Sequence, residues 1–122
     1  MAIAETATRM VVFLTEGDHL GRRRLYEVIV ERAREDGMAG ATVWRGIEGF
    51  GLSGQIQAGR FPGASGQLPI AVEVLDAPER VESFLGVVQG LMPDCLVIQE
   101  TVRMAHFSSS PASTLDDIVV EA

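Results

Sequence analysis

The sequence predicts one α+β domain whose elements follow the order β-α-β-β-α-β. The chain has 122 residues, 47% of them hydrophobic, which is enough for a single domain with a core. Four short runs are apolar or alternate in polarity, as strands do, and two longer stretches repeat apolar residues every three or four positions, as helices do. This order is that of the ferredoxin-like fold, in which two helices cover one face of a four-stranded antiparallel sheet.

The first strand and the first helix follow a weakly patterned N-terminus. Residues 1–8 show no period, and we expect them to be flexible. Residues 10–14 form an apolar run that predicts a buried strand. The helix is predicted over residues 22–36, with Gly37 ending it. Its apolar positions lie on one face, and they are Leu25, Val28, Ile29 and Ala33.

The second strand is predicted within residues 40–50, which contain β-branched and aromatic side chains. Glycines then recur without any period, and residues 51–67 are predicted to be a long loop. Loops of this length in small domains are usually functional or disordered. Because five glycines make the free backbone costly to order, we expect this loop to become ordered only when a ligand or partner engages its base.

The third strand, residues 68–75, alternates in polarity, and Asp76 is positioned to cap the helix that follows it. That helix buries Val81, Phe84, Leu85 and Val88. The fourth strand is predicted over residues 95–104. The domain therefore spans residues 9–106, and residues 107–122 are predicted to be a flexible acidic tail.

The strands are apolar at nearly every position, yet the predicted helices cover only one face of the sheet. The simplest way to cover the second face is to pack it against another copy of the chain. We therefore expect a homo-oligomer.

Charge and cysteine content exclude several classes of protein. The formal net charge is −7, which argues against binding to nucleic acid or to anionic membranes, since phosphate binding needs a basic face. No apolar run approaches the ~20 residues that cross a bilayer. The lone cysteine, Cys95, has no internal disulfide partner, which fits a reducing cytoplasm.

The unusual chemistry lies in residues 40–54, where a strand leads into spaced glycines with Arg45 at the junction. Such a backbone can cradle an anion, and it can equally form a plain loop. Arg45 fits either a clamp on a phosphate or carboxylate, or a salt bridge. The three consecutive arginines at 22–24 fit either phosphate contacts or a solvated face. The predicted ligand-binding residues are Arg23, Thr42, Arg45, Gly46, Gly49 and Gly51.

Two other site hypotheses are weaker. Residues 49–54 spell G-x-G-x-x-G, but Gly59 and Pro62 follow too soon for the helix that a dinucleotide site requires. Glu16, Asp18 and His19 are potential metal ligands within four residues, although their spacing matches no strong motif. No nucleophile–base set is recognisable, so we predict a binding protein rather than an enzyme.

The central motif AGATVWRGIEGFG, at residues 39–51, resembles the PII-like proteins of the uncharacterised bacterial family DUF190. The segments LYEVIVE at 25–31, SGQI at 53–56 and LPI at 68–70 continue the resemblance. It implies a ferredoxin-like homotrimer similar to PII signal transducers. In those proteins a long loop rises from the second strand, and small molecules, typically adenine nucleotides, bind in clefts between subunits near its base.

The resemblance implies a cytoplasmic regulatory protein that binds a small anionic ligand, with an adenine nucleotide as the candidate, and contacts a partner protein through its long loop. Some relatives are encoded beside fluoride-channel genes, which points to a membrane transport protein or channel as that partner. Two alternatives stay open. One is a metal-tolerance protein similar to CutA, which shares the trimeric fold, and the other is a small enzyme acting in the intersubunit cleft.

Overall fold

The computed structural model describes residues 2–59 and 67–107, and it confirms the predicted fold class. Four strands form one antiparallel sheet in the order β4 (Gly40–Arg45), β7 (Pro69–Asp76), β1 (Ala2–Thr15) and β8 (Leu96–Phe107). Within the described ranges, neither helix has the length and apolarity that crossing a bilayer requires. The strands are β1 (Ala2–Thr15), β2 (His19–Leu20), β3 (Arg23–Arg24), β4 (Gly40–Arg45), β5 (Glu48–Gly49), β6 (Gln57–Ala58), β7 (Pro69–Asp76) and β8 (Leu96–Phe107), and the helices are α1 (Leu25–Glu35) and α2 (Pro78–Leu91).

The core lies between the two helices and one face of the sheet. Strands place alternate side chains on opposite faces, so every second residue of β1 and β7 turns toward the helices. The predicted helix faces are largely confirmed, because Leu25, Ile29 and Ala33 of α1 are buried, as are Val81, Phe84 and Val88 of α2. From the sheet the core receives Met10, Val12, Leu14, Ile70, Val72 and Val74.

The other face of the sheet carries an uncovered apolar surface at one end. Trp44, Phe13 and Leu96 lie in a single row across the sheet, since Trp44 and Phe13 both pair with Ala71 and Phe13 pairs with Leu96. Ile98 lies in the next row, opposite Val11. We call Phe13, Trp44, Leu96 and Ile98 the open-face patch. All four side chains are exposed, Trp44 most of all at 59%.

The opposite end of the same face is ionic. Arg9 contacts Glu73 on β7 and donates a hydrogen bond to Glu100 on β8, with Nη1 and Oε1 2.8 Å apart. These hydrogen bonds raise the pKa of Arg9. The open face therefore offers one surface suited to apolar packing and one suited to water or to charged groups.

The N-terminal segment differs from the sequence-based expectation of flexibility over residues 1–8. β1 begins at Ala2, and its first residues pair with β8 from Phe107 back to Val102. Backbone hydrogen bonding to a neighbouring strand builds this ribbon without any apolar alternation, which explains why no period marks it. β8 likewise continues to Phe107, one residue into the predicted tail, and residues 108–122 lie outside the described residues.

The first helix begins three residues later than predicted, at Leu25. Arg23 and Arg24 instead pair with Leu20 and His19 in a tight antiparallel hairpin, β2–β3. The turn uses Gly21 at φ +62°, a conformation that is accessible to glycine at little cost.

The connection between β4 and β7 has more order than the sequence predicts. β4 ends at Arg45, earlier than expected, and the predicted loop of residues 51–67 contains the short strand β6. β6 pairs with β5 to form a two-stranded unit, which we call the β5–β6 ribbon, and Ala58 in it is buried. Residues 60–66, within the predicted loop, lie outside the described residues.

Asp76 does not cap α2 in the way that the sequence predicts. Ala77 occupies the N-cap position and makes no side-chain capping bond. The Asp76 carboxylate is buried one residue earlier, where it accepts hydrogen bonds from the backbone N–H of Ala39 at 3.0 Å and of Ala77 at 2.6 Å. Its function is thus to join the end of β7 to the chain leading into β4.

Candidate functional site

Both ends of the β4–β7 connection are held by Glu16, which directly follows β1. The Glu16 carboxylate contacts Arg45 Nε at 3.1 Å through Oε2 and accepts a hydrogen bond from Leu68 N–H at 3.3 Å through Oε1. The Glu16 N–H donates to the Leu68 carbonyl at 2.9 Å. The predicted ligand residue Arg45 is therefore engaged in an ion pair within the chain, although its side chain remains 54% exposed.

Gly46 has a packing reason for being glycine. Its N–H donates a 2.8 Å hydrogen bond to the carbonyl of Pro69, and a Cβ at this position would lie 2.8 Å from Pro69 Cγ. No side chain fits without a shift in Pro69. The Gly46 amide, predicted as part of an anion cradle, therefore donates to β7 in this structure.

The other predicted ligand residues in this stretch are dispersed. Thr42 lies opposite Glu73 in the sheet, two residues from Trp44 and on the same face. Gly49 pairs with Gln57 in the β5–β6 ribbon. Gly51 closes a turn by accepting a hydrogen bond from Gly54 N–H at 3.0 Å, and no helix begins there, in line with the rejected dinucleotide hypothesis.

Arg23 is directed toward α1 rather than toward the loop. Its Nη2 lies 2.6 Å from Glu31 Oε2, and this hydrogen bond raises the pKa of Arg23. The neighbours on either side behave differently. Arg24 donates to the Glu16 carbonyl at 3.1 Å, and Arg22 makes no ion pair with any residue in ranges 2–59 and 67–107.

An apolar cleft of about 330 Å³ opens between the turn after β5 and the start of β8, and we call it the loop cleft. Its apolar lining includes Phe13, Phe50, Leu52, Met92 and Leu96, and its charged lining consists of two carboxylates, Asp18 and Asp94. Phe13 and Leu96 also belong to the open-face patch, so the loop cleft is continuous with that surface.

A second, polar cavity of about 510 Å³ adjoins the β2–β3 hairpin, and we call it the hairpin cavity. Arg22, Arg24 and His19 line it together with Asp18, which also lines the loop cleft. Asp18 thus marks the boundary between an apolar cleft and an arginine-lined cavity. Its carboxylate is held there by the N–H of Thr15, with an N–Oδ2 distance of 2.9 Å.

The three weak metal candidates are not brought together. Glu16 is bound to Arg45 and Leu68, whereas Asp18 accepts from Thr15. His19 pairs with Arg24 in the hairpin. Among the residues that the structure describes, no group of three histidine, cysteine, aspartate or glutamate side chains is arranged to hold a metal ion.

Sequence reasoning missed the part of the loop cleft that comes from the α2–β8 connection. Met92, Asp94 and Cys95 reach the cleft from about 40 residues away along the chain. Burial, and to a smaller extent Asp94, raises the pKa of the Cys95 thiol, which keeps it protonated and poorly nucleophilic. No local sequence pattern marks these residues, because their proximity to Phe50 is created by the folded sheet.

Comparison with solved structures supports the fold. CPII, a nitrogen regulatory PII-like protein from Thiomonas intermedia K12 whose structure contains ADP, AMP and bicarbonate, is similar with a TM-score of 0.62 over 84% of this chain and 91% of that one, at 14% identity. The divalent ion tolerance protein CutA1 from Ehrlichia chaffeensis is similar with a TM-score of 0.55, covering 94% and 92% of the two chains at 9% identity. At these identities the similarity shows the fold alone.

Sequence comparison shows the family. A UPF0166 protein from Aquifex aeolicus is 33% identical over 79 residues, which cover 65% of this chain and 75% of the relative. The model of the family DUF190, described as "Uncharacterized ACR, COG1993", matches residues 7–104. That range includes both helices and all the residues named above as lining the two cavities. It also includes the four-stranded sheet, except the first residues of β1 and the last residues of β8. The resemblance of the central motif is therefore confirmed, and the chain belongs to the DUF190 family.

Proposed function

We propose that this protein is a PII-like regulatory protein that binds a small anionic ligand, with an adenine nucleotide as the favoured candidate. The ring of the ligand would enter the loop cleft, and its phosphates would meet the arginines of the hairpin cavity. The function is signalling rather than catalysis, and it takes place in the cytoplasm.

The observation that carries this proposal is the contact between the two cavities at Asp18. An apolar cleft lined by Phe50 and Leu52 suits a planar ring, because ligand sites are mostly apolar with a few placed polar groups. Arg22 and Arg24 suit phosphate oxygens, since guanidinium groups bind them with strong charge-assisted hydrogen bonds. A molecule with an apolar ring at one end and an anionic group at the other would fit the loop cleft with its ring and the hairpin cavity with its anionic group.

The structural neighbours support the choice of ligand class. CPII was solved with ADP, AMP and bicarbonate, and each of these carries negative charge at neutral pH. The arginines that line the hairpin cavity are compatible with such ligands, whereas the loop cleft by itself, with two acidic residues, favours their uncharged part.

The contact surface for a partner protein is the β5–β6 ribbon and the turn between its strands. Phe50 and Leu52 are 72% and 68% exposed, although both are large and apolar. Exposed apolar groups next to a ligand site are suited to recognition by another protein. A membrane transport protein or channel is the partner that we propose, in keeping with the family resemblance.

The open-face patch is the proposed interface between copies, and the assembly is a homotrimer. Packing against this patch would remove four large apolar side chains from water. Because Phe13 and Leu96 also line the loop cleft, a second copy seated on the patch would stand beside the ligand. The ligand site would then lie between subunits.

Changing Trp44 to glutamate is expected to convert the trimer to a monomer without unfolding the chain. Trp44 is the most exposed member of the patch, and a carboxylate there would be buried without a partner in the interface. Light scattering should give a mass near three chains of 13.1 kDa for the original protein and near one for Trp44→Glu. Ile47→Glu is the matched control, since Ile47 is 89% exposed and lies outside the patch. A single-chain mass for the unmodified protein at micromolar concentration would contradict the assembly model.

Arg22→Ala is expected to weaken ADP binding by about tenfold or more. A hydrogen bond to a charged group contributes about 1.5–3 kcal/mol, and about 1.4 kcal/mol corresponds to a factor of ten in affinity. Isothermal titration of the full chain with ADP measures the change. Arg34→Ala is the control, because Arg34 is an exposed arginine of α1 that lines neither cavity. Equal affinities for the original protein and Arg22→Ala would remove the hairpin cavity from the proposed site.

A stability measurement with divalent metal ions and product analysis after the ADP titration discriminate the two alternative functions. A CutA-like metal-binding role predicts stabilisation of the protein by divalent copper or zinc that is lost in Glu16→Gln, Asp18→Asn or His19→Ala. An enzyme in the intersubunit cleft predicts that ADP is converted to product during the titration. The fold similarity to CutA1 is the reason for testing metal ions, although Glu16, Asp18 and His19 are not gathered into a site.

A further inference from the structure

Asp18 is held in a fixed position by hydrogen bonds to the backbone of its neighbours. Its N–H donates to the Thr15 carbonyl at 3.0 Å, and its carbonyl accepts from Leu25 N–H at 2.8 Å. Its carboxylate accepts from Thr15 N–H through Oδ2 at 2.9 Å. A carboxylate offers about four lone-pair sites, so it retains the capacity to accept from a ligand as well. Among the described residues, Asp18 alone lines both the loop cleft and the hairpin cavity.

Asp18 shares the hairpin cavity with two arginines but pairs with neither of them. Arg22 and Arg24 line the same cavity of about 510 Å³, yet within ranges 2–59 and 67–107 no ion pair joins the Asp18 carboxylate to either guanidinium. The cavity therefore holds an acceptor and two cationic groups apart from one another. A carboxylate only accepts hydrogen bonds, and it repels a phosphate. The part of a ligand that meets Asp18 must consequently be a hydrogen-bond donor and not the anionic group itself.

We propose that Asp18 binds the sugar hydroxyls of the ligand, so that the site selects a ribonucleotide over a deoxyribonucleotide. Three surfaces follow one another along the site: the apolar cleft, the Asp18 carboxylate and the arginines of the hairpin cavity. A nucleotide presents its ring, its sugar hydroxyls and its phosphates in the same order. Its sugar is the part that carries neutral O–H donors. This inference rests on the proposed function, since it requires the ring in the loop cleft and the phosphates at the arginines.

The charge and burial of Asp18 make it suited to discriminate between sugars. A hydrogen bond to an ionised acceptor is stronger than one between neutral groups, and acidic residues bind ribose hydroxyls in this way in dinucleotide-binding folds. The Asp18 side chain belongs to a half-buried residue, so a sugar without the hydroxyl would displace water from the carboxylate without replacing its hydrogen bond. Asp94, the other carboxylate of the loop cleft, is exposed and does not line the hairpin cavity. The sugar is therefore assigned to Asp18.

The test titrates the full chain with ADP, 2′-deoxyADP and 3′-deoxyADP by calorimetry, three ligands that share the ring and the phosphates and differ in one hydroxyl. In the original protein, at least one deoxy analogue should bind about tenfold more weakly than ADP, because it lacks a hydrogen bond to a charged group. Asp18→Asn keeps an oxygen for Thr15 N–H but loses the charge. In this variant the same ratio of dissociation constants should fall below about threefold, since hydrogen bonds between neutral groups are weaker.

Asp36→Asn is the matched control, because Asp36 is an exposed aspartate that lines neither cavity, and it should leave the ratio at its original value. Asp94→Asn tests the other carboxylate of the loop cleft. If the original protein binds ADP and both deoxy analogues equally, the site does not select a sugar, and the inference is wrong while the proposed function stands. The same holds if the preference persists in Asp18→Asn or is removed by Asp94→Asn instead. If calorimetry detects no ADP binding to the original protein, the proposed ligand and the inference both fail.

Discussion

Replacing Phe84 with alanine is expected to lower the free energy of unfolding by about 3–5 kcal/mol, the largest effect of any single substitution considered for this chain. Phe84 lies on α2, is 2% exposed and belongs to the same buried cluster as Met10, Ile29 and Val72. The substitution removes an aromatic ring from between the helices and the sheet. Rigid neighbours on β1 and β7 cannot fully close the resulting cavity, so a cavity cost adds to the loss of hydrophobic burial.

Urea denaturation at a fixed protein concentration measures this loss, since the stability of an oligomer depends on concentration. Phe50→Ala is the matched control, because Phe50 is 72% exposed and its removal should change stability by less than about 0.5 kcal/mol. A loss below about 1 kcal/mol for Phe84→Ala would mean that α2 packs against the sheet with a different face.

The core residues could be predicted from the sequence because they recur at the spacing that the geometry of a helix or a strand imposes. Val81, Phe84 and Val88 recur every three or four residues, and that spacing by itself places them on one side of a helix. Ile70 and Val72 alternate with partly exposed neighbours, as expected for a strand with one covered face. Such patterns are local, so they can be recognised without knowing which elements pack against each other.

The candidate site was harder to predict from the sequence, because its residues are far apart along the chain and meet only in the folded structure. Glu16 and Arg45 are 29 positions apart, and neither occupies a periodic position that would point to the other. Asp18 and Asp94 face the same cleft from opposite ends of the domain. The sequence identified Arg45 as important but left open whether it binds a ligand or forms a salt bridge. That choice depended on Glu16, just after β1, reaching Arg45 at the end of β4 across the start of β7, which lies between those two strands.

The three consecutive arginines show a related limit. A helix starting at residue 22 would distribute them around one turn, whereas the hairpin places Arg23 and Arg24 on successive positions of a strand and Arg22 in the turn. Side chains of successive strand residues point in opposite directions. Arg23 consequently reaches Glu31 while Arg24 reaches Glu16 and the hairpin cavity. An error of three residues in the start of the helix therefore placed Arg23 in the predicted site, whereas Arg22 and Arg24 are the arginines that line the hairpin cavity.

Asp76 carries the second large expected effect. It is 1% exposed, and its carboxylate lies 3.1 Å from Arg80 Nε in addition to its bonds with the N–H groups of Ala39 and Ala77. Arg80 in turn donates through Nη2 to the carbonyls of Asp36 and Gly37, each at 2.8 Å. Asp76 and Arg80 together therefore fasten the end of α1, the entry to β4 and the start of α2 to one another.

Asp76→Ala is expected to cost about 3 kcal/mol of unfolding free energy, because it leaves the partly buried N–H groups of Ala39 and Ala77 without this acceptor and removes the carboxylate that pairs with Arg80. Asp76→Asn retains one oxygen for an N–H donor but loses the charge, so its loss should be smaller, about 1–2 kcal/mol. Asp94→Ala serves as the control, since Asp94 is exposed and has no ion pair among the described residues. Urea denaturation gives all three values. Equal losses of unfolding free energy for Asp76→Ala and Asp94→Ala would contradict the conclusion that Asp76 joins these segments. A larger loss for Asp76→Ala than for Asp76→Asn would instead show that the stabilisation comes from the oxygen atoms of the Asp76 carboxylate.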